Sequence, residues 1–238
     1  MIVVPVVDLK QGAVVRARRG DRAAYRPIET PLAEGSDPVE VVHGLLSVYP
    51  FPHLYIADID AIQGRGDNFA VLPHLRRAFP RLRLWVDSGV ADAEALQALV
   101  RSEVAFPVVG SETQRDVSMI AACKDRHGVV LSLDFIGDVF QGPPELLAEP
   151  RLWPNRVIVM SLAQVGTAGG PDFARLASIL AAAGARQVFA AGGVRHFEDL
   201  AALAGAGAAG ALVATALHNG SLTKAEVEAV ESTAPGSK

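Results

Sequence analysis

Short runs of aliphatic and β-branched residues recur about every 25–30 positions along the chain. Between them lie stretches whose apolar residues are three and four positions apart. A short, continuously apolar run is typical of a strand buried on both faces, and the wider spacing is typical of an amphipathic helix. The runs predict strands at Ile2–Val7, His53–Ala57, Leu82–Val86, Phe106–Val109, Val129–Leu133, Arg156–Met160, Gln187–Ala190 and Gly210–Val213. The spaced stretches predict helices at Asp37–Val48, Ala91–Arg101, Asp116–Arg126, Asp172–Ala183 and His196–Ala204.

The alternation of these elements indicates an α/β fold with a parallel sheet covered by helices. Eight units in 238 residues fit a closed (β/α)₈ TIM barrel better than an open sheet. An internal repeat supports this, because Gly89–Val109 aligns with Gly193–Val213 at an offset of 104 positions. Val6–Leu9 aligns with Ser132–Phe135 at an offset of 126, and loop insertions in the first half account for the difference. The sequence therefore predicts a barrel built from two similar half-barrels.

Composition and charge limit the partners and the cellular compartment expected for this barrel. The net charge is −4 and the linear sequence contains no cluster of Lys and Arg, so nucleic acid is not an expected partner. One cysteine, Cys123, excludes an internal disulfide framework and suggests a reducing compartment. No signal peptide is visible, and the uncharged run Leu200–Leu217 contains three glycines, which favours a helix end, a turn and a strand over a membrane span. We expect a cytoplasmic protein with one domain at 1–232 and a disordered tail at 233–238.

Two carboxylates, Asp8 and Asp134, stand at the ends of repeat-related strands. In a barrel of this kind, side chains at the carboxyl ends of the strands project into the active site. Two such groups on opposite sides of one mouth suit acid–base catalysis if their environments separate their pKa values. The alternative is that each aspartate only caps the following turn or helix.

Small residues follow the last two predicted strands. The loops that contain Gly192, Gly193, Ala214 and Thr215 place backbone N–H groups where phosphates bind in such barrels. The alternative is a tight turn that needs glycine for a positive φ. The sequence favours a phosphate site.

The opening Val4–Arg16, followed by Gly20 and Asp21, is similar to the opening of the histidine-biosynthesis half-barrel family, which contains a ribotide isomerase and the cyclase of imidazole glycerol phosphate synthase. The resemblance extends from Met1 to about Ser221. It implies cofactor-free chemistry in which the residues at Asp8 and Asp134 act as general base and general acid. It also implies paired phosphate sites, at Ser88, Gly89, Gly110 and Ser111 in the first half and at Gly192, Gly193, Ala214 and Thr215 in the second.

Other positions qualify the resemblance. The opening with Arg16 is more similar to that of the isomerase than to that of the cyclase. In the loop after the sixth strand, only Gly166 and Thr167 match the usual isomerase sequence. Asp58 belongs to a charged segment, Tyr55–Asn68, that resembles a branch of the family from organisms with methanopterin-linked one-carbon metabolism. We expect Arg16, Asp58, Gly166 and Thr167 to contact the substrate.

The loop after the third strand departs from the isomerase pattern, because Asp87 stands where a triple glycine is expected. Glu112 also follows the first-half loop, whereas the second-half loop is uncharged. Carboxylates repel a phosphate dianion. The two phosphate sites are therefore predicted to differ, with the second-half site binding phosphate and the first-half site binding it poorly or not at all.

No metal or other cofactor is predicted. The six histidines are scattered without the spacing of a metal site. Asp58, Asp60 and Asp67 are possible Mg²⁺ ligands, but a polar loop at a strand end is the favoured interpretation.

Three functions remain open from the sequence. The favoured one is an isomerase of a phosphorylated aminosugar. A lyase or synthase would use the same barrel and aspartates on another phosphorylated metabolite, but the sequence shows no docking face for a glutaminase partner of the cyclase kind. A non-catalytic barrel that binds a phosphorylated metabolite is disfavoured by the presence of both aspartates.

Overall fold

The computed structural model describes residues 1–17, 21–101, 103–166 and 169–232. The predicted tail at 233–238 lies outside the described residues. The strands are β1 (Ile2–Lys10), β2 (Ala13–Arg16), β3 (Arg26–Pro27), β4 (His53–Asp58), β5 (Arg83–Asp87), β6 (Phe106–Gly110), β7 (Val130–Ile136), β8 (Val139–Gln141), β9 (Arg156–Ser161), β10 (Gln187–Ala191) and β11 (Gly210–Val213). Eight of them, all except β2, β3 and β8, pair in parallel, and β1 pairs with both β4 and β11. The sheet is thereby closed, and the (β/α)₈ barrel prediction is confirmed.

Helices lie in the segments that follow the barrel strands. They are α1 (Pro38–Val48), α2 (Ile59–Ile62), α3 (Val71–Ala78), α4 (Ala93–Arg101), α5 (Ser118–Cys123), α6 (Glu145–Ala148), α7 (Phe173–Ala183), α8 (Phe197–Gly205), α9 (Thr215–His218) and α10 (Lys224–Ser232). Aspartate caps fix two of the predicted starts, because Asp37 accepts from the first turn of α1 and Asp172 accepts from the first turn of α7. The helix predicted at Asp116–Arg126 is shorter, and α3, which has no side-chain cap, was not predicted.

The uncharged run Leu200–Leu217 contains the end of α8, a turn and β11, as predicted, and also most of the short helix α9, which was not predicted. Within the described ranges, no helix is both long and apolar enough to cross a membrane.

The inside of the barrel is a packed core. Its central side chains come from alternate positions of the eight strands and are Val4, Tyr55, Trp85, Val108, Val130, Ile158, Phe189 and Leu212. Trp85 and Phe189 meet edge to face at the centre, with ring centroids 5.0 Å apart. Each is 1% exposed, so the two rings fill the barrel below the carboxyl ends of the strands.

Strand registers reproduce the internal repeat. Trp85 pairs with Phe106 between β5 and β6, and the residues 104 positions later, Phe189 and Gly210, pair between β10 and β11. The larger offset recurs in two hairpins that were not among the predicted elements. Asp8 pairs with Val15 in the β1–β2 hairpin, and the residues 126 positions later pair in the β7–β8 hairpin. The two halves of the chain therefore share the same strand pairing.

The last helix joins the start of the barrel. Glu231 at the end of α10 accepts a hydrogen bond from the Val3 backbone N–H at 2.9 Å and one from the Tyr49 hydroxyl at 3.0 Å. The Met1 ammonium donates to the Val230 carbonyl at 3.2 Å. These contacts place α10 across the amino end of β1, beside its pairing with β11.

Candidate active site

A cavity opens at the carboxyl ends of the barrel strands. Asp8, Asp87 and Asp134 all face it, from β1, β5 and β7. Apolar side chains such as Ile59, Met160 and Leu212 also line its wall. Glu112 also belongs to the wall, so the cavity collects four carboxyl groups in a partly apolar enclosure that is open to solvent.

Asp134 is buried and is held by its own strand and by the residues that follow β6. Its Oδ1 accepts a hydrogen bond from the Ser132 hydroxyl at 2.6 Å, and its Oδ2 lies 3.2 Å from both the Ser111 hydroxyl and the Glu112 backbone N–H. Burial, and then the nearby carboxylate of Asp87, raise the pKa of Asp134 to about 8. The group therefore carries a proton at neutral pH and can act as an acid.

Asp8 has different surroundings although it occupies the equivalent strand end. It is half-buried, and among the described residues its carboxyl group has no hydrogen-bond partner. Loss of solvent raises the pKa of Asp8 to about 7, and the Arg22 guanidinium lowers it in part. Because a cation faces Asp8 and a carboxylate faces Asp134, the pair is electrostatically unequal.

Asp87 is a third aspartate in this cavity, and it is not among the residues predicted to be catalytic. Its Oδ2 accepts from the Tyr55 hydroxyl at 3.2 Å, and its Oδ1 accepts from the Gly89 backbone N–H at 3.1 Å. Burial raises the pKa of Asp87 to about 6. A Cβ placed on Gly110 would lie 3.3 Å from an Asp134 oxygen and 3.4 Å from an Asp87 oxygen. The two carboxyl groups therefore flank Gly110 on the same side of the barrel.

An ion pair crosses the mouth above these groups. Arg22, from the loop between β2 and β3, pairs with Glu112, which follows β6. Both side chains are about one-fifth exposed. The Arg22 guanidinium lowers the pKa of both Asp8 and Asp87, so one cation favours the ionised form of two carboxyl groups.

The second-half loops line the cavity. Gly192, Gly193, Ala214 and Thr215 all contribute to its wall. Gly192 and Gly193 have φ values of 98° and 86°, and a Cβ on either would lie within 2.5 Å of a neighbouring carbonyl oxygen. Backbone conformation and close packing therefore account for both glycines by themselves, and phosphate binding there stays a prediction.

The first-half loop is placed differently. Ser88, Gly89, Gly110 and Ser111 are absent from the described cavity wall, whereas Asp87 and Glu112 belong to it. Ser111 is fully buried and accepts a hydrogen bond from the Asp134 backbone N–H at 2.9 Å. The structure thus presents carboxylates at this end of the cavity where the second half presents small residues.

Four further residues were predicted to contact the substrate, and those that the structure describes differ in their position relative to the main cavity. Arg16 is exposed, donates to the Glu29 carbonyl at 2.8 Å and lies on a smaller cleft next to the main cavity. Gly166 lines both cavity and cleft, and Thr167 lies outside the described residues. Asp58 is buried away from the cavity and caps α2 through the Ala61 N–H.

The Asp58 carboxylate also accepts hydrogen bonds from the loop that follows α2. It accepts from the Asn68 backbone N–H at 2.6 Å and from the Asn68 side-chain amide at 2.7 Å. These contacts give Asp58 a structural role in this conformation. In the described part of the chain, no group of three or more His, Cys, Asp or Glu side chains is arranged to hold a metal ion.

Comparison with known proteins identifies the family. The profile of the family described as histidine biosynthesis protein matches residues 2–223. An uncharacterised protein of Methanocaldococcus jannaschii is 29% identical over 230 residues, which cover 95% of this chain and 97% of that protein. An isomerase of Myxococcus xanthus, named for an imidazole-4-carboxamide with two 5-phosphoribosyl groups, is 29% identical and covers 95% of this chain and 98% of its own length. Phosphoribosyl isomerase A of Mycobacteroides abscessus is 28% identical, with 94% of this chain and 96% of that enzyme covered. The chain belongs to the family of histidine biosynthesis proteins.

Proposed function

We propose that the protein is a cofactor-free isomerase that converts a phosphorylated aminoaldose into an aminoketose by acid–base catalysis. The observation that carries this proposal is the pair of repeat-related aspartates, Asp8 and Asp134, in one cavity. Their pKa values of about 7 and about 8 lie near neutral pH, where a group can both hold and accept a proton. The isomerases among the relatives support the same reaction class.

The surroundings of the two groups suggest how the roles divide. Asp134, beside another carboxyl group and two serine hydroxyls, is the proton donor for the ring oxygen when the sugar ring opens. Asp8, faced by Arg22, is the base that removes the proton from C2. To complete the reaction, Asp8 delivers its proton to C1, and Asp134 recovers a proton from the C2 hydroxyl, which becomes the ketone. Both aspartates return to their starting protonation states. Because C2 is oxidised as C1 is reduced within the substrate, the reaction requires no external oxidant or reductant.

One phosphate group on the substrate is predicted to bind at Gly192, Gly193 and Thr215, and none at the first-half loop. A carboxylate about 5 Å from a phosphate costs roughly 3 kcal/mol per unit charge at an effective dielectric constant of about 20. Arg22 offsets part of this cost, but it is already paired with Glu112. The far end of the substrate should therefore be neutral or cationic.

Crystals soaked in phosphate or sulfate test this prediction. We expect an anion at the second-half loop alone in the wild type. The double variant Asp87→Asn and Glu112→Gln should admit a second anion at the first-half loop. Anions at both loops of the wild type, or only beside Ser88 and Gly89, would show that the asymmetry is wrong.

A lyase or synthase of another phosphorylated metabolite is the second candidate. Asp87 favours it, because this third carboxyl group is a departure from the isomerase pattern and adds a further proton donor or acceptor. A cyclase that receives ammonia through the barrel is disfavoured, since Trp85 and Phe189 fill the interior that ammonia would cross.

Complementation of a histidine auxotroph that lacks the isomerase separates these candidates. Growth with the wild type and not with Asp134→Asn would assign the histidine-pathway substrate and make the bisphosphate reaction part of the function. No growth, with the protein shown to be expressed and folded, would remove that substrate and leave an aminosugar monophosphate to be tested by direct assay.

A further inference from the structure

The amino end of the barrel gathers cationic side chains that are distant in sequence. His53, Arg83 and Arg156 are the first residues of β4, β5 and β9. Side chains alternate along a strand, so each points in the same direction as the residue two positions later. Those later residues, Tyr55, Trp85 and Ile158, all belong to the barrel interior. The three side chains therefore converge on the barrel axis below Trp85, and we call them the basal cluster.

Ring contacts show how closely the basal cluster is assembled. The His53 ring meets the Trp85 ring edge to face, with centroids 5.1 Å apart. The Arg156 guanidinium carbon lies 6.0 Å from the centroid of the Trp85 ring. His53 and Arg83 are register partners in neighbouring parallel strands. Trp85 thus forms an aromatic floor that separates the basal cluster from the cavity of the three aspartates.

The charges of the basal cluster are uncompensated. In the described ranges, neither Arg83 nor Arg156 lies within ion-pair distance of a carboxylate. Burial, followed by Arg83, lowers the pKa of Arg156, and burial followed by both guanidiniums lowers the pKa of His53 to about 4. His53 is 8% exposed, and its Nδ1 is buried with no hydrogen-bond partner among the described residues. A buried polar atom without a partner is costly, and here it lies beside two cations that repel each other.

Neighbouring clefts extend the positive potential. One, next to Arg156, is lined by Lys124, Arg126, His127 and Arg186, and another, next to Arg83, is lined by Arg76 and Arg81. Asp125 and Glu103 are the carboxylates at the edges of these clefts, and both are exposed. The chain as a whole has a net charge of −4, so the lining of these two clefts is opposite in sign to the chain as a whole.

We propose that the basal cluster is a binding site for an oxyanion, the phosphate or carboxylate group of a small molecule. Two guanidinium groups supply planar pairs of N–H donors that suit phosphate and carboxylate oxygens, and the His53 ring lies beside them, where it senses the charge of a bound anion. Bound anion would neutralise the repulsion between Arg83 and Arg156. The site lies at the opposite end of the barrel from the aspartates and does not depend on the proposed isomerase activity.

Titration of the intact protein with inorganic phosphate at low ionic strength tests the site. The readout is the pair of ring-nitrogen signals of His53 in long-range ¹H–¹⁵N spectra, assigned with the variant His53→Gln. We expect saturable shifts of these signals in the wild type. Arg83→Gln and Arg156→Gln should each weaken phosphate binding about tenfold or more, because each removes a charge-assisted contact. Arg115→Gln, an exposed arginine outside the basal cluster, should leave the binding curve unchanged.

Several results would overturn the proposal. Unmoved His53 signals at saturating phosphate would do so, as would an unchanged affinity in Arg83→Gln, an exposed position where the substitution should not disturb folding. Light scattering identifies the source of the anion. A self-association of the protein that phosphate and Arg83→Gln both abolish would assign the site to a carboxylate of a second copy instead of a small molecule.

Discussion

Asp8→Asn and Asp134→Asn are each expected to lower turnover by about 10²–10⁴-fold while the barrel stays folded. Loss of a general acid or base has this size because proton transfer must then pass through water. Folding should tolerate both changes. In Asp134→Asn the new amide oxygen can still accept from the Glu112 backbone N–H and the Ser111 hydroxyl, while its NH2 group donates to the Ser132 hydroxyl oxygen. Asp8 has no hydrogen-bond partner to lose in the described residues. The measurements are kcat with the substrate found by complementation or direct assay, and thermal unfolding of each variant.

The matched control is Asp125→Asn, an exposed aspartate at the amino end of the barrel. It should keep wild-type turnover. Full activity in both active-site variants would show that the acid–base assignment is wrong. Unfolding of both would show instead that the aspartates are structural caps.

Asp87→Asn is expected to stabilise the protein at pH 8 by roughly 3 kcal/mol relative to the wild type, and to have little effect near pH 4. Burial raises the pKa of Asp87 from 3.8 to about 6 in the folded state. The folded state therefore holds this proton more tightly than the unfolded chain, and the stability that the proton provides is lost as pH rises from about 4 through 6. Asparagine stays neutral and avoids the loss.

Denaturant unfolding of wild type and variant at pH 4, 6 and 8 provides the measurement. The difference between the two proteins is the informative quantity, because buried His53 and His218, whose pKa values are lowered to about 4, change wild-type stability in the opposite direction between pH 4 and 6.5. Asp125→Asn again serves as the control and should show no such pH dependence. A constant difference between wild type and Asp87→Asn across the three pH values would mean that Asp87 is not held near its neutral form.

The sequence located all eight barrel strands but ended several of them too early. The strand predicted at Ile2–Val7 continues to Lys10, and the strand predicted at Val129–Leu133 continues to Ile136. The apolar pattern stops where polar residues begin, but backbone pairing continues through Asp8 and Asp134. Polar residues at these strand ends serve the cavity, so hydrophobic patterning cannot detect that they belong to the strands.

The candidate site was predictable only as far as strand position determines it. Asp8 and Asp134 meet in one cavity because the fold repeats. Arg22 enters from a loop between two short hairpin strands, and its ion pair with Glu112 joins residues 90 positions apart. The basal cluster is invisible in the linear sequence for the same reason, since its members start three separate strands. Asp58, conversely, lies at a strand end, which predicts a substrate contact, but its carboxylate accepts hydrogen bonds from Asn68 in the following loop.

The attachment of α10 to β1 has a consequence for how the protein is made. The Val3 N–H donates to Glu231, and β1 pairs with β11. The first strand therefore lacks both partners until nearly the whole chain has been synthesised. Contacts across more than 200 residues slow folding, because a long loop must close before they form. During translation the edge of β1 therefore stays unpaired until β11 has been synthesised. We expect the nascent chain to depend most on chaperones in this interval.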